Sequence, residues 1–143
     1  YSRVVLQNMV NVRRSNMSRE QLVRNTAPFI YSAALLDDGE RYERAIQATV
    51  DNPYTQQDHA FIRQVQAILA WDATSRSNGI KSSTLVVTNS DDILVPPRNG
   101  EKLSKLISGA KLVSLDGGHA GVTEAPHEHN TAFLEFLGAA VPA

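Results

Sequence analysis

Apolar and polar positions change their period near residue 80. Before it, apolar residues recur at helical spacing between polar breaks; after it, short β-branched runs alternate with helical stripes. Residues 1–79 therefore read as helices and loops, and residues 80–143 as alternating strand and helix. Ser18-Arg19-Glu20-Gln21 has the form of a capping box, Ser at the cap and Gln three residues later. The helix it opens carries Leu22 and Val23 and is expected to stop before Pro28, because the residue ahead of a proline disfavours helical backbone. Tyr42, Ala45, Ile46, Thr49 and Val50 fall at i, i+3, i+4, i+7 and i+8 and predict a helix over 40–50, broken by Asp51-Asn52-Pro53. Thr55 is placed to cap a third helix with Asp58 in its first turn, where a carboxylate meets the positive end of the dipole. Phe61, Val65, Ile68 and Leu69 form its stripe, and residues 75–79 read as a polar connector.

In the second part, residues 84–88 (Thr-Leu-Val-Val-Thr) are a short β-branched run of the kind that forms a buried parallel strand. A loop over 89–97 leads to a helix over 98–107, with Leu103, Leu106 and Ile107 on one face and Gly109 marking its end. Residues 110–115 predict a second strand and 116–121 a glycine-rich loop. Pro126 suits the first turn of a last helix, whose stripe is Phe133, Phe136, Leu137 and Ala140. Strand, helix, strand, helix at this spacing implies an α/β layer architecture.

Composition narrows the function classes without naming one. The chain has 143 residues, 14 Lys+Arg and 15 Asp+Glu, a net charge of −1, and no cysteine. A binder of nucleic acid held through phosphates carries a basic excess, and Arg13-Arg14 and Arg41/Arg44 are too sparse to form such a patch. Without cysteine there is no disulfide framework and no thiolate zinc site, which agrees with a cytoplasmic setting. No apolar run is long enough for a membrane-spanning helix, and the first residues lack a signal-peptide pattern.

The two loops that follow the predicted strands hold the candidate chemistry, since open parallel sheets gather function at the carboxyl ends of their strands. One carries Asp91 and Asp92, the other His119 between glycine and alanine. Alone, Asp-Asp in a loop reads as a solvated turn, and a glycine-flanked histidine as a surface residue. Together they offer a carboxylate to orient an imidazole and an imidazole to act as general base, two parts of a nucleophilic triad. His127 and His129 with Glu124 and Glu128 are weaker as a metal set. Residues i and i+2 of a helix point apart, so these four read as a solvated helix start. Asp58-His59 reads as surface, and Trp71 and the phenylalanines as core or lid packing.

Residues 84–97 resemble the acid-bearing segment of the α/β-hydrolase superfamily: a strand, a Gly-x-x-Asp turn, two or three residues, then Val-Pro. Residues 109–120, ending in Asp116-Gly117-Gly118-His119-Ala120, resemble its final strand and catalytic-histidine loop. Residues 124–137, with Pro126, Asn130 and Phe136-Leu137, resemble its closing helix. Residues 1–79 resemble only loosely the helical lid that many members insert before the acid strand, most of all at Phe61-Ile62-Arg63-Gln64 and Trp71-Asp72. The resemblance implies that His119 is the general base and that Asp92, three residues after the turn position, is the acid rather than Asp91. Asn89 stands where the family has the turn glycine, and Asn tolerates left-handed backbone better than most residues. Ser82-Ser83 stand where the family often has proline.

The family's nucleophile sits in a Gly-x-Ser-x-Gly elbow, with chain order Ser, acid, His. No such elbow occurs here, and no glycine precedes Gly39, so the oxyanion-hole donors are also outside these residues. The expectation is the C-terminal portion of an α/β-hydrolase: a helical lid segment over 1–79 and core strands and helices over 80–143. Its start inside an apolar run favours a piece of a larger enzyme. Such an enzyme cleaves an ester, lactone or related carbonyl compound, with no cofactor and no metal implied. Its expected partners are an ester-like small molecule and either the N-terminal half of the hydrolase or a second chain. Two strands cannot cover the apolar faces of their own helices, so self-association into a homo-oligomer is a further expectation. Some relatives use the same residues for perhydrolysis or carbon–carbon cleavage. The alternative is a non-catalytic module that keeps the fold for binding.

Overall fold

The computed structural model describes residues 2–138. Five helices and one helical turn come first: α1 (Ser2–Arg13), α2 (Arg19–Ile30), α3 (Ala33–Asp37), α4 (Gly39–Asp51), α5 (Asp58–Ala70) and α6 (Thr74–Ser77). Then follow β1 (Leu85–Asn89), α7 (Pro97–Leu106), β2 (Lys111–Leu115), α8 (Gly121–Glu124) and α9 (Pro126–Leu137). β1 and β2 pair in parallel, in register from Leu85↔Lys111 to Asn89↔Leu115. Val86 and Thr88 face Gly100 of α7, while Asn89, at the opposite parity, meets His129 of α9. Helices therefore cover both faces of the sheet, as parallel pairing through helical crossovers requires.

Local chemistry explains the helix starts. Both halves of the capping box form at α2: the Ser18 hydroxyl accepts from the Gln21 N–H at 3.2 Å, and the Gln21 side chain accepts from the Ser18 N–H at 2.8 Å. Ser32 and Asp38 cap α3 and α4 by the first of these bonds alone, accepting from the N–H groups of Leu35 and Arg41. α2 and α4 are tied by Arg24, whose guanidinium reaches both Glu43 oxygens at 2.9 and 2.7 Å and holds that carboxyl below the usual carboxylate range.

Several expectations change. α2 runs through Pro28 to Ile30, because the proline lies in the last turn and the Tyr31 N–H still closes onto the Ala27 carbonyl at 2.9 Å. Ala27 is buried and Phe29 and Ile30 pack on the core, which offsets the N–H that proline lacks. Thr55 does not cap α5; Gln57 holds that position without a side-chain bond, and the Thr55 hydroxyl pairs with the Arg19 guanidinium instead. The connector contains the single turn α6. α1 and α3 are additional; Val5, Met9 and Val12 at i, i+4 and i+7 are the signal for α1. Leu103 and Leu106 on α7 are exposed, and only Ile107 of that stripe is buried. Trp71 is 67% exposed, with the Arg76 guanidinium stacked on its ring, so it is not core. Ala140 lies outside the described residues.

A core cluster of Val5, Met9 and Leu94, flanked by Leu6, Phe29, Ile30 and Phe61, joins the two halves of the chain, since Leu94 comes from the loop after β1. The sheet is less enclosed. Only Val86 of β1 is buried, and Leu112 of β2 is exposed. Both strands are edges here, so the buried-strand expectation holds at a single position.

α7 can lie against β1 only because residue 100 has no side chain: a Cβ there would overlap Thr88 Cγ2 and crowd Val86 Cγ1 at 3.3 Å. Gly100→Ala is expected to destabilise by about 1–3 kcal/mol through overpacking, read as a lower urea midpoint. Thr88→Ser removes the obstructing methyl, so the double variant should recover most of the loss; no recovery would mean that another contact sets the spacing.

Candidate active site

The two chemistry-bearing loops are joined before any side chain meets. Beyond the strand ends, the Ser90 N–H donates to the Leu115 carbonyl and the Asp91 N–H to the Gly117 carbonyl, each at 2.9 Å. The sheet ladder thus runs on into the loops and sets them side by side. The Asp92 N–H then turns back onto the Asn89 carbonyl at 3.2 Å, which sends the Asp92 side chain inward and leaves Asp91 exposed.

Asp92 is buried, and both of its oxygens are occupied. Oδ1 accepts from the Leu94 and Val95 N–H groups at 2.9 and 2.7 Å; Oδ2 meets His119 Nδ1 at 3.0 Å. A carboxylate accepts and does not donate, so Nδ1 carries the proton of this pair and a neutral ring presents its lone pair at Nε2. The Asp92 side chain is 10% exposed and that of His119 39%, so the acid is enclosed while the imidazole reaches open space. Nε2 has no hydrogen-bond partner among the described residues. A groove of about 230 Å³ runs past Asp92 along β1, lined by Val95, Asn99 and Leu103 among others. A cavity of about 290 Å³ lies within the helical segment, between α1, α2 and α5, and does not border His119.

The turn at Asn89 differs from expectation. No described residue other than glycine has a positive φ, so Asn89 is not left-handed but closes β1 as ordinary strand. Its amide points to His129, whose Nε2 lies 2.9 Å from Oδ1, and fills the space beside Gly121. The left-handed step falls in the other loop, at Gly117 with φ +136°.

His129 and Glu124 also overturn the reading of a solvated helix start; His127 and Glu128 are exposed, in agreement with it. His129 is 2% exposed and spans from the Ala125 carbonyl at 2.9 Å to Asn89. Its spacing to the half-buried Phe136, i+7, is the signal for the inner face of α9; Phe133 and Leu137 of the predicted stripe are exposed. The Glu124 carboxylate accepts from the N–H groups of Gly118 and Ser32 at 3.1–3.2 Å and from the Ser32 hydroxyl. No local pattern announces those bonds. Among the described residues no group of three or more His, Cys, Asp or Glu side chains is placed to hold a metal ion. No described helix is long and apolar enough to cross a membrane.

No family model matches the chain. The chain is 30% identical over 132 residues to a protein of Pseudomonas savastanoi pv. phaseolicola named as a candidate carbamate hydrolase, RutD, covering 87% of this chain and 48% of that protein. It superposes on the enol-lactonase of Burkholderia xenovorans LB400 with a TM-score of 0.80 at 24% identity, over 94% of this chain and 50% of that one. With MGS-M2, an α/β-hydrolase enzyme from a deep-sea metagenome, the TM-score is 0.76 at 23% identity, over 99% and 52%. Helices on both faces of a parallel sheet, with an acid and a histidine in consecutive loops beyond its strands, define the C-terminal portion of an α/β-hydrolase fold. The chain belongs to the α/β-hydrolase superfamily. It spans about half the length of each of these three proteins.

The two aspartates are expected to separate on substitution in the full-length protein. Asp92→Asn should lower kcat by about 10⁴, the scale seen when a triad histidine loses its orienting carboxylate. Asp91→Asn, at an exposed side chain, should leave kcat near wild type. Steady-state kinetics of both variants decide it, and equal sensitivity would refute the assignment.

Proposed function

We propose that this chain supplies the acid and the general base of a serine hydrolase that cleaves an ester, lactone or related carbonyl compound. The observation that carries the proposal is the enclosed Asp92 carboxylate, held by two backbone N–H groups and bonded to His119, whose Nε2 faces open space. In the reaction, His119 Nε2 takes the proton of a serine hydroxyl as that oxygen attacks the carbonyl carbon, and returns it to the leaving group. Water, activated by the same nitrogen, then cleaves the acyl-enzyme. Asp92 keeps the ring in the required tautomer and stabilises the imidazolium that forms at each step. The names of the relatives, a carbamate hydrolase and an enol-lactonase, support a carbonyl flanked by a heteroatom as the reacting group.

The serine and its oxyanion hole come from outside these residues, in the N-terminal half of the same enzyme or on a second chain. Two features support this. Among the described residues β1 and β2 pair only with each other, and Leu103, Leu106 and Leu112 remain exposed around that two-stranded sheet.

The test compares the full-length protein with residues 1–143 on short p-nitrophenyl esters. Hydrolysis by the former with none by the latter is expected, together with self-association of the isolated residues. A full-length protein that is inert toward esters, lactones and carbamates while binding one of them would favour the non-catalytic module. So would a monodisperse, cooperatively unfolding 15.7 kDa monomer of residues 1–143.

A further inference from the structure

The imidazole of His119 is held by one side-chain bond, so its placement depends on the backbone that carries it. That backbone is anchored on both sides of the residue. Just before it, the Gly118 N–H donates to Glu124 Oε1 at 3.1 Å; just after it, the Ala120 N–H donates to the Ile30 carbonyl at 2.9 Å. Both anchors lead to one place, the junction of α2 and α3. Glu124 accepts there from the Ser32 N–H, at 3.2 Å to Oε1 and 3.1 Å to Oε2, and from the Ser32 hydroxyl. Ser32 is itself 5% exposed and caps α3. The approach is close enough that a Cβ on Gly118 would lie 2.5 Å from both Ser32 N and Tyr31 C.

Among the described residues, every group hydrogen-bonded to the Glu124 carboxylate is a neutral donor; the Arg41 guanidinium reaches the Glu124 main-chain carbonyl instead, at 3.5 Å. A carboxylate with several donors and no counter-charge is a hydrogen-bond hub, and its short reach fixes the groups it joins relative to one another. α8 makes the hub rigid: its single turn, closed by the Thr123 and Glu124 N–H groups on the Ala120 carbonyl at 2.8 and 3.1 Å, brings Glu124 back over Gly118.

We infer that Glu124 is a positioning residue for His119: its carboxylate clamps the Gly117–Gly118 peptide, one residue ahead of His119, to Ser32, so that the helical segment sets where the imidazole sits against Asp92. This rests on the reading of Asp92 and His119 as triad members. It adds a coupling that the triad alone does not contain. Any movement of the α2–α3 junction moves the histidine backbone with it, and a shift of about 1 Å at a catalytic group can cost 10² in rate.

The test uses the full-length protein with Glu124→Ala, Glu124→Gln and Ser32→Ala. Each variant is followed by steady-state kinetics and by nitrogen-15 NMR of the His119 ring, which reads its tautomer and its Nδ1–H bond to Asp92. Glu124→Ala should lower kcat roughly 10²-fold with KM little changed, and should weaken or broaden the Nδ1–H signal. Glu124→Gln keeps one oxygen for the Gly118 N–H and should fall between Glu124→Ala and wild type. Ser32→Ala loses one of the hub's donors and should show a smaller loss of the same kind. Should Glu124→Ala fail to fold, Glu124→Gln carries the test with the same two readouts. A folded variant with lower thermal stability but a wild-type ring spectrum and kcat would show a merely structural role and overturn the inference. If Asp92→Asn keeps full turnover, the triad reading fails by itself, and the ring spectra still decide whether Glu124 places the histidine.

Discussion

A buried carboxylate has to be fully satisfied, and the way Asp92 meets that requirement organises the molecule around it. One oxygen takes the N–H groups of Leu94 and Val95, which bends the chain just after β1. That bend delivers Leu94 into the cluster with Val5 and Met9. The other oxygen takes the imidazole from the next loop. A single side chain therefore shapes the acid loop, docks α1 against the α/β layer and fixes the histidine ring. The cost of leaving such a group unpaired is about 1–3 kcal/mol or more for a charged one, large against the stability of a whole domain.

The histidine loop meets a different constraint, one of space rather than charge. Gly118 touches the backbone of the α2–α3 junction, and Glu124 bonds both sides of that contact. Backbone-to-backbone packing of this kind tolerates no added atom and leaves little freedom to slide. His119 is thus placed by two independent attachments, its ring through Asp92 and its peptide through the helical segment. The helical segment consequently forms part of the scaffold on which the histidine stands.

The sheet shows the opposite condition. α7 and α9 cover its two faces, yet neither strand has a second neighbour among the described residues, and large apolar side chains around the sheet remain in contact with solvent. The contrast between the tightly bonded Asp92–His119 pair and a loosely covered sheet follows from where their partners lie. Asp92 and His119 find their mutual partners within these residues, whereas the strands find only each other.

Class and element order were legible in the sequence because they rest on local properties. The change from a period of 3.6 to short β-branched runs, the capping box at Ser18 and the glycines before His119 each act within a few residues. The resemblance put Asp92 forward rather than Asp91, and the turn after β1 sends the Asp92 side chain inward and its neighbour outward. Tertiary structure decided what depends on distant partners. Pro28 stays helical because Ala27, Phe29 and Ile30 gain burial around it. His129 is an inner residue because Asn89, 40 positions away, meets its ring. Glu124 looked like a solvated carboxylate and became the hub of the histidine loop because Ser32, 92 positions away, presents its donors there. A hydrogen bond across that separation leaves no period and no motif in the chain; only the packing that brings the α2–α3 junction against the histidine loop creates it.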